Sequence, residues 1–523
     1  MTSARPTLYA SAALLVASCS ARSTLVVDAG TESSKRFGLS EDTHGVPPEV
    51  HAYRDDWPLP NRDYDNTRAS TKASIDSTNV GRLTVAWRAT FAAAPGPFGS
   101  VTSNALILGD DIYVQDMSSH VYCLDRTTGK QRWMFRHGDP TVGPNGVAVG
   151  WGRLYANSGD TGVIALEAAT GRELWRFRPA LIQSEGVDIQ PTLYDGNVYV
   201  STVAANLKSG YLGRSRGVLF ALDAVSGQER WRFHTVPDDF WGDPRNNSGG
   251  GAWYPPLIDP ERDRTYWGTA NPGPWPGLPT APNGSSRPGD NLYTSSLVAL
   301  AADSGELAWY HQERAHDLFD WDFQNSPVRV RADKTRELPE LIIGSGKTGT
   351  VVALAADSGE LVWRAKVGRH ENDELDALPE NKAVVVYPGT LGGVLTPLAY
   401  AGGRLFVPIV DMPTEYTAFG ALPELDNARG ALSALDVRTG ELIWNVELPA
   451  PSYGAATVVN DLVLTSDASG RVYAFAVDDG RELWHFDAPA GINAPLAVAD
   501  DTLLIPVGLG AAQLIALRLP RHG

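Results

Sequence analysis

The chain has 523 residues, 43% of them hydrophobic and 20% charged, with a formal net charge of −17. This is the composition of a folded globular protein, rich in Trp and Gly and poor in the long Ala/Glu/Lys/Leu runs of helical proteins. The acidity and the lack of basic patches argue against nucleic acid as a partner, because phosphate binding needs clustered Lys and Arg.

At the N-terminus, Arg5 precedes an apolar stretch from Leu8 to Ala17 that ends at Ser18-Cys19. A basic residue before a short hydrophobic segment is the plan of a secretory signal, and the stretch is too short to span a bilayer as an anchor. Val16-Ala17-Ser18-Cys19 resembles the lipobox of bacterial lipoproteins. That resemblance implies lipidation at Cys19 and a mature chain in the bacterial cell envelope or periplasm, tethered to a membrane. The alternative is a plain cleaved signal with an incidental cysteine. The expected organisation is a signal peptide over 1–19, a flexible polar tether over 20–52 and a single repeat domain over 53–523. Cys123 then has no cysteine partner, so no disulfide is expected, and without a Cys-x-x-Cys-His motif no covalent c-type haem is expected either.

From Val121 onward one pattern recurs. VYCLDRTTGKQRW ends at Trp133, and six later segments repeat it, ending at Trp175, Trp231, Trp309, Trp363, Trp444 and Trp484, each with a Gly four residues before the Trp. Apolar residues of high β-propensity predict a strand, a polar run ending in Gly predicts a tight turn with positive φ, and the next strand opens around the Trp. Such a sheet cannot bury both its faces alone, and radial stacking of sheets around the Trp solves this. Trp87 in Leu83–Trp87 is a Trp strand with no motif before it, and Gln513–Leu517 is a strand with no turn after it. The expectation is an all-β, eight-bladed β-propeller of four-stranded antiparallel blades, closed by pairing of the N- and C-terminal strands.

The repeats resemble those of the quinoprotein propellers, which use pyrroloquinoline quinone (PQQ) and include methanol, ethanol and membrane glucose dehydrogenases. The resemblance runs from about Asp56 to the C-terminus and includes Asp56-Trp57-Pro58, Asp65-Asn66-Thr67-Arg68 and Asn79 to Trp87. The same turn-and-Trp repeat also occurs in the non-catalytic propeller lipoprotein of outer-membrane protein assembly, so repeats alone do not separate enzyme from scaffold.

The intervals Trp231–Trp309 and Trp363–Trp444 are roughly eighty residues, against about forty to fifty-five elsewhere. Extra length in such a fold goes into loops at the ends of the channel, where ligands bind. The first long interval holds Gly249-Gly250-Gly251-Ala252-Trp253 and Gly268-Thr269-Ala270-Asn271. The glycines allow close backbone approach to a ligand or simply form a tight packing corner. Next come His316-Asp317, then Asp320-Trp321-Asp322, and Lys347 in a Gly-rich turn. His316 and Asp317 either line a site or hydrogen-bond within their loop. Asp320 and Asp322 alternate as on one face of an extended segment, and with Asn271 they form an all-oxygen set suited to Ca²⁺ or another hard cation.

The resemblance implies roles for these residues. Trp253 is the aromatic floor under the quinone ring, Asn271 a carboxamide metal ligand, Asp320 the catalytic base and a metal ligand, and Asp322 an additional ligand. Lys347 pairs with the quinone oxygens, and Asp411 and Tyr453 line the pocket. The implied cofactors are PQQ with Ca²⁺ or a lanthanide. The implied reaction is oxidation of a small-molecule alcohol or sugar hydroxyl, with electrons passed to an external acceptor. Against the family pattern, the vicinal cysteine pair is absent, and no glutamate stands between Asn206 and Arg216, where the usual glutamate ligand belongs. Positions around Thr102 and Asn145 replace an expected glutamate and arginine. The alternative is a cell-envelope scaffold that binds proteins or polymers.

Overall fold

A computed structural model describes residues 37–520 apart from 94, 95, 97, 180–183 and 209; Cys19 and the lipobox-like segment lie outside the described residues. The fold is all-β and propeller-like, built from four-stranded antiparallel sheets that follow one another along the chain. In the first, Leu106–Leu108, Asp111–Gln115, Val121–Asp125 and Gln131–Phe135 meander from one edge to the other. Among the described residues seven sheets are four-stranded, and the sheet running from Thr457–Val459 to Glu482–Asp487 carries Ala69–Ser70 as a fifth, parallel edge strand. Burial falls outward: Leu106–Leu108 and Asp111–Gln115 are buried throughout, whereas fourth strands such as Leu361–Lys366 alternate between exposed and covered positions. The first strands therefore lie innermost. The last sheet takes Ala497–Ala499, Thr502–Val507 and Gln513–Arg518 from one end of the chain and its outer strand, Thr84–Thr90, from the other, with Trp87 opposite Ala516.

The repeated Trp and Gly explain each other across sheets. The indole N–H of Trp133 donates to Ala168 O at 3.1 Å, in the turn of the following sheet. Trp87, Trp175, Trp231, Trp309, Trp363 and Trp444 make the equivalent bond to Arg126, Ala224, Ala302, Ala356, Val437 and Val477. The ring then lies on the turn glycine of that next sheet. A Cβ at Gly359 would sit 2.4 Å from the Trp309 ring, and Gly129, Gly171, Gly227, Gly305, Gly440 and Gly480 stand in the same relation to the preceding Trp. Each of these glycines also has positive φ, +74° at Gly359. The glycine thus answers two demands, turn geometry and inter-sheet contact. A register shift immediately before the Trp recurs in the outer strand pairs, as between Ala353 and Leu354, and this β-bulge turns the indole out of the pleat.

The lead-in segment crosses beneath the inner strands. Trp57 is fully buried and bridges to Ile107. Arg68 is also fully buried, and its five N–H groups reach Ala456 O, Asn61 Oδ1, Asn104 Oδ1, Thr457 Oγ1 and Leu496 O at 2.8–3.1 Å. All five acceptors are neutral, and burial lowers its pKa to about 9. Asn66 donates to Pro327 O, while Tyr400 N and Val458 N donate to Thr67 O and Arg68 O. One short segment therefore ties sheets from the beginning, middle and end of the chain.

From Phe37 the chain lies on the sheets: Ser40 N bonds Trp151 O, and the short helix Pro48–Ala52 buries Glu49, whose carboxylate accepts from Trp151 N and Gly152 N. Cys123 is buried, its thiol directed to Asp111 Oδ1 at 3.6 Å. No helix among the described residues is long and apolar enough to cross a membrane.

The double constraint on the turn glycine predicts unequal costs for equal substitutions. Gly402 has φ of +61° but nothing within 4 Å of a new Cβ, so Gly402→Ala carries only the left-handed strain of ~1–2 kcal/mol. Gly359→Ala adds overpacking against Trp309, for a total of ~2–5 kcal/mol. Chemical denaturation of the two variants measures the difference, and equal midpoints would contradict the inter-sheet role.

Candidate functional site

The site begins with a turn. Asp317, fully buried, accepts from Phe319 N at Oδ1 (3.1 Å) and from Trp321 N at Oδ2 (3.0 Å). This curls the chain and leaves Asp320 with φ of +65°, a left-handed conformation uncommon outside Gly but tolerated by Asp. His316 contacts Gly289 O and Asn283 O. His316 and Asp317 are thus loop-forming residues. Asp320 and Asp322 do converge, but by this turn and not by alternation along an extended segment.

Three charged groups meet there. Asp320 Oδ2 accepts from Lys347 Nζ at 3.0 Å and from Thr390 Oγ1 at 2.5 Å. Lys347 Nζ lies 2.7 Å from Asp322 Oδ2, and Asp322 Oδ1 accepts from Asn271 N at 2.8 Å. Asp320, Asp322 and Lys347 are 7%, 4% and 8% exposed, so this is a buried triad and no surface pair. Burial pushes the Asp320 carboxyl up to about 7; Lys347 opposes this and the neighbouring Asp322 adds to it. Burial alone would lower the Lys347 pKa, but the two carboxylates outweigh it and raise it. The ammonium therefore stays charged while Asp320 is unusually basic for a carboxylate.

Asn271 reaches this cluster through its backbone, while its side-chain amide donates to Pro272 O at 3.1 Å. The small ladder Ser248–Gly249 with Pro272–Gly273 binds the triple-glycine segment to the Asn271 segment. Trp253 follows it, with an indole N–H that is buried and has no hydrogen-bond partner among the described residues. Asp411 and Tyr453 are not drawn into the cluster. Asp411 Oδ1 caps Arg369 N at 2.7 Å, and Tyr453 packs beside Val410 and Met412, its phenol pushed up to about 12 by burial.

Sequence reasoning missed three residues. Thr390 comes from the second long interval, whose excess length was the available signal. Tyr211 ends a small hairpin of Ala205–Asn206 and Gly210–Tyr211, in the stretch where a glutamate was sought. It is half exposed, and its phenol pKa is raised by desolvation and by Asp320 and Asp322, with Lys347 opposing. Asp188 also acts on that phenol. No three carboxylate, imidazole or thiol groups converge as a metal cluster among the described residues. The candidate donor set is two carboxylates plus an amide, with Lys347 between the carboxylates.

Residues 57–149 and 183–376 match the family described as glucose/ethanol/alcohol dehydrogenase, β-propeller domain. Residues 117–240 and 347–519 match the one described as outer membrane protein assembly factor BamB. The chain is 27% identical over 496 residues to the quinohemoprotein alcohol dehydrogenase of Comamonas testosteroni, covering 80% of this chain and 67% of that protein. Among solved structures it is similar to quinohemoprotein alcohol dehydrogenase ADHIIG from Pseudomonas putida HK5, with a TM-score of 0.80 at 22% identity over 92% of this chain and 85% of that one. A europium-containing methanol dehydrogenase gives a TM-score of 0.78 at 20% identity over 90% and 99%. These two structural likenesses speak to the fold.

Removing the ammonium from the triad leaves two buried carboxylates facing each other. Lys347→Met, measured by chemical denaturation with chelator present, is expected to cost ~3–5 kcal/mol, as for breaking other buried ion pairs. A loss within 0.5 kcal/mol, typical of surface positions, would show that the triad is not charged as described.

Proposed function

Because the chain belongs to the quinoprotein dehydrogenase-like β-propeller family, we propose that it is a PQQ- and metal-dependent dehydrogenase that oxidises an alcohol or sugar hydroxyl. The observation that carries this reading is the buried Asp320–Lys347–Asp322 triad with Asn271 at its edge. Its donors fit the group: two carboxylates against one ammonium leave negative charge for a hard cation, here Ca²⁺ or a lanthanide, and the oxygen ligands are of the right kind. Asn271, Asp320 and Asp322 would hold the metal. Lys347 would donate to the quinone oxygens, and the Trp253 ring with its unpartnered N–H would support the quinone plane.

When bound, the quinone supplies a two-electron acceptor next to a Lewis acid. Asp320 then takes the substrate hydroxyl proton. One of its oxygens is held by Lys347 and Thr390, and its raised pKa makes it a competent general base near neutrality. Electrons leave to an external acceptor.

A propeller of eight blades closed by the Thr84–Thr90 and Gln513–Arg518 pairing carries the site, and residues from Phe37 onward belong with it. The mature chain is exported and lipid-anchored through Cys19. Mass spectrometry of the native N-terminus is expected to find a lipidated cysteine there, and an unmodified residue would rule the anchor out. The second reading, a protein- or polymer-binding scaffold in the cell envelope, is favoured by the missing glutamate between Asn206 and Arg216 and by the second family match.

Adding PQQ with Ca²⁺ or a lanthanide to purified protein separates the two. The dehydrogenase reading expects a bound-cofactor spectrum and turnover with an artificial electron acceptor. Asp320→Asn should keep the spectrum while turnover falls by roughly 10²–10⁴-fold. Asp322→Ala should weaken metal binding, and Lys347→Ala should loosen the quinone. A wild type that binds neither quinone nor metal leaves the scaffold reading in place.

A further inference from the structure

A second group of unsatisfied oxygens lies on the side of the early sheets. Asp188 is fully buried. Its Oδ1 accepts from Val142 N at 3.1 Å and Gly143 N at 3.0 Å, whereas Oδ2 has no donor among the described residues. A buried carboxylate oxygen left without a donor is costly, and a proton or a cation relieves it. Burial holds the Asp188 pKa well above the usual carboxylate range, and neighbouring Asp160 raises it further.

The surroundings supply oxygen and, among the described residues, no bonded cation. Asp160 spends Oδ2 on Leu207 N at 2.9 Å and its carboxylate also feels the Val142 N–H, while Oδ1 makes no hydrogen bond among the described residues. Lys208 acts on Asp160 only through space. The backbone brings further oxygens close to these groups. A Cβ at Gly186 would lie 3.1 Å from Asp188 Oδ2, 3.2 Å from Asp160 O and 2.6 Å from Ala205 O. Asp188 Oδ2 and the main-chain oxygens of Asp160 and Ala205 thus converge on one side of Gly186, where no side chain would fit, and Asp160 O also accepts from Val187 N at 2.9 Å.

We propose that Asp188 and Asp160, with the main-chain oxygens of Asp160 and Ala205, form a second site for a hard cation, separate from the Asp320–Asp322 pair. Carboxylates mixed with backbone carbonyls are the donors that Ca²⁺-class ions take. The site neighbours Trp253. Gly143, whose N–H holds Asp188, packs against Trp253, since a Cβ there would lie 2.5 Å from the indole ring. A cation at Asp188 would turn an acceptor-only wall into one that tolerates anionic ligand groups, which a tricarboxylate such as PQQ requires.

The test uses chelator-stripped full-length protein and Tb³⁺, followed by luminescence excited through tryptophan and by calorimetric stoichiometry, without cofactor or turnover. Wild type is expected to bind two equivalents, Asp188→Asn one and Asp322→Asn the other one. In the Asp322→Asn background Ca²⁺ should still raise Tm, and Asp188→Asn added to it should abolish that shift. The amide preserves the acceptor for Val142 and Gly143 and removes the buried charge, so the variant should fold at least as well in chelator. Should it not fold, Asp160→Asn serves in its place and should lose the same equivalent. If Asp188→Asn binds as many ions as wild type, the group holds a shared proton and the second site is overturned, while the Asp320–Asp322 reading stands. If wild type binds a single equivalent that only Asp188→Asn removes, the second site stands and the metal role of Asp320 and Asp322 falls.

Discussion

The contact on which the molecule depends is a tryptophan laid on a glycine that belongs to the next sheet. A four-stranded sheet has two apolar faces and cannot hide both, so each must find a neighbour on either side. The indole covers the gap, and its N–H donates to a carbonyl beside the glycine, which fixes the angle as well as the distance. Where the contact cannot be repeated, the chain uses other means. Trp484 faces the sheet divided between the two ends of the chain, which has no glycine turn between Gln513–Arg518 and Thr84–Thr90. It packs instead, as Leu83 and Leu519 do, against the buried cluster that includes Leu462, Val498, Leu503 and Leu517, while Arg518 reaches across to Thr127 O and Arg126 O.

Much of this was legible in the sequence, because a contact repeated in every sheet leaves a repeated string. The strands, their turns and the pairing of Thr84–Thr90 with Gln513–Arg518 could all be read from the seven motifs and the two orphan strands. What could not be read was which Trp meets which Gly. The two lie four residues apart in each motif, yet the spatial partners belong to different motifs. Arg68 was visible only as part of a resemblance, since nothing local shows that a guanidinium will be buried among neutral oxygens donated from distant segments.

The site divides in the same way. Asn271, Asp320, Asp322 and Lys347 were singled out together, and the structure brings them together. The reason is a local turn built by Asp317, and alternation along a strand would have given a different geometry. Thr390, Tyr211 and Asp188 were missed because each comes from a loop or a two-residue hairpin strand whose residues say little until the fold places them. The two carboxylate groups also differ in their counter-charge. On the late side an ammonium lies between two carboxylates, and on the early side Asp160 and Asp188 face each other with no bonded cation among the described residues.

The neutral company of Arg68 bears on the order in which the chain can be completed. Its partners Ala456, Thr457 and Leu496 are made hundreds of residues after it, so during synthesis or N-terminus-first export the guanidinium must wait in water. Until the final sheets emerge, the segment that carries it cannot be drawn inward without stranding a charge. Early sheets can stack on one another through their own tryptophans, but the curl they form stays unsealed underneath. The last step is then a joint one, in which the late strands and the lead-in segment settle together. The arginine thereby acts as a check on completeness, comfortable in the interior only when the whole chain has arrived.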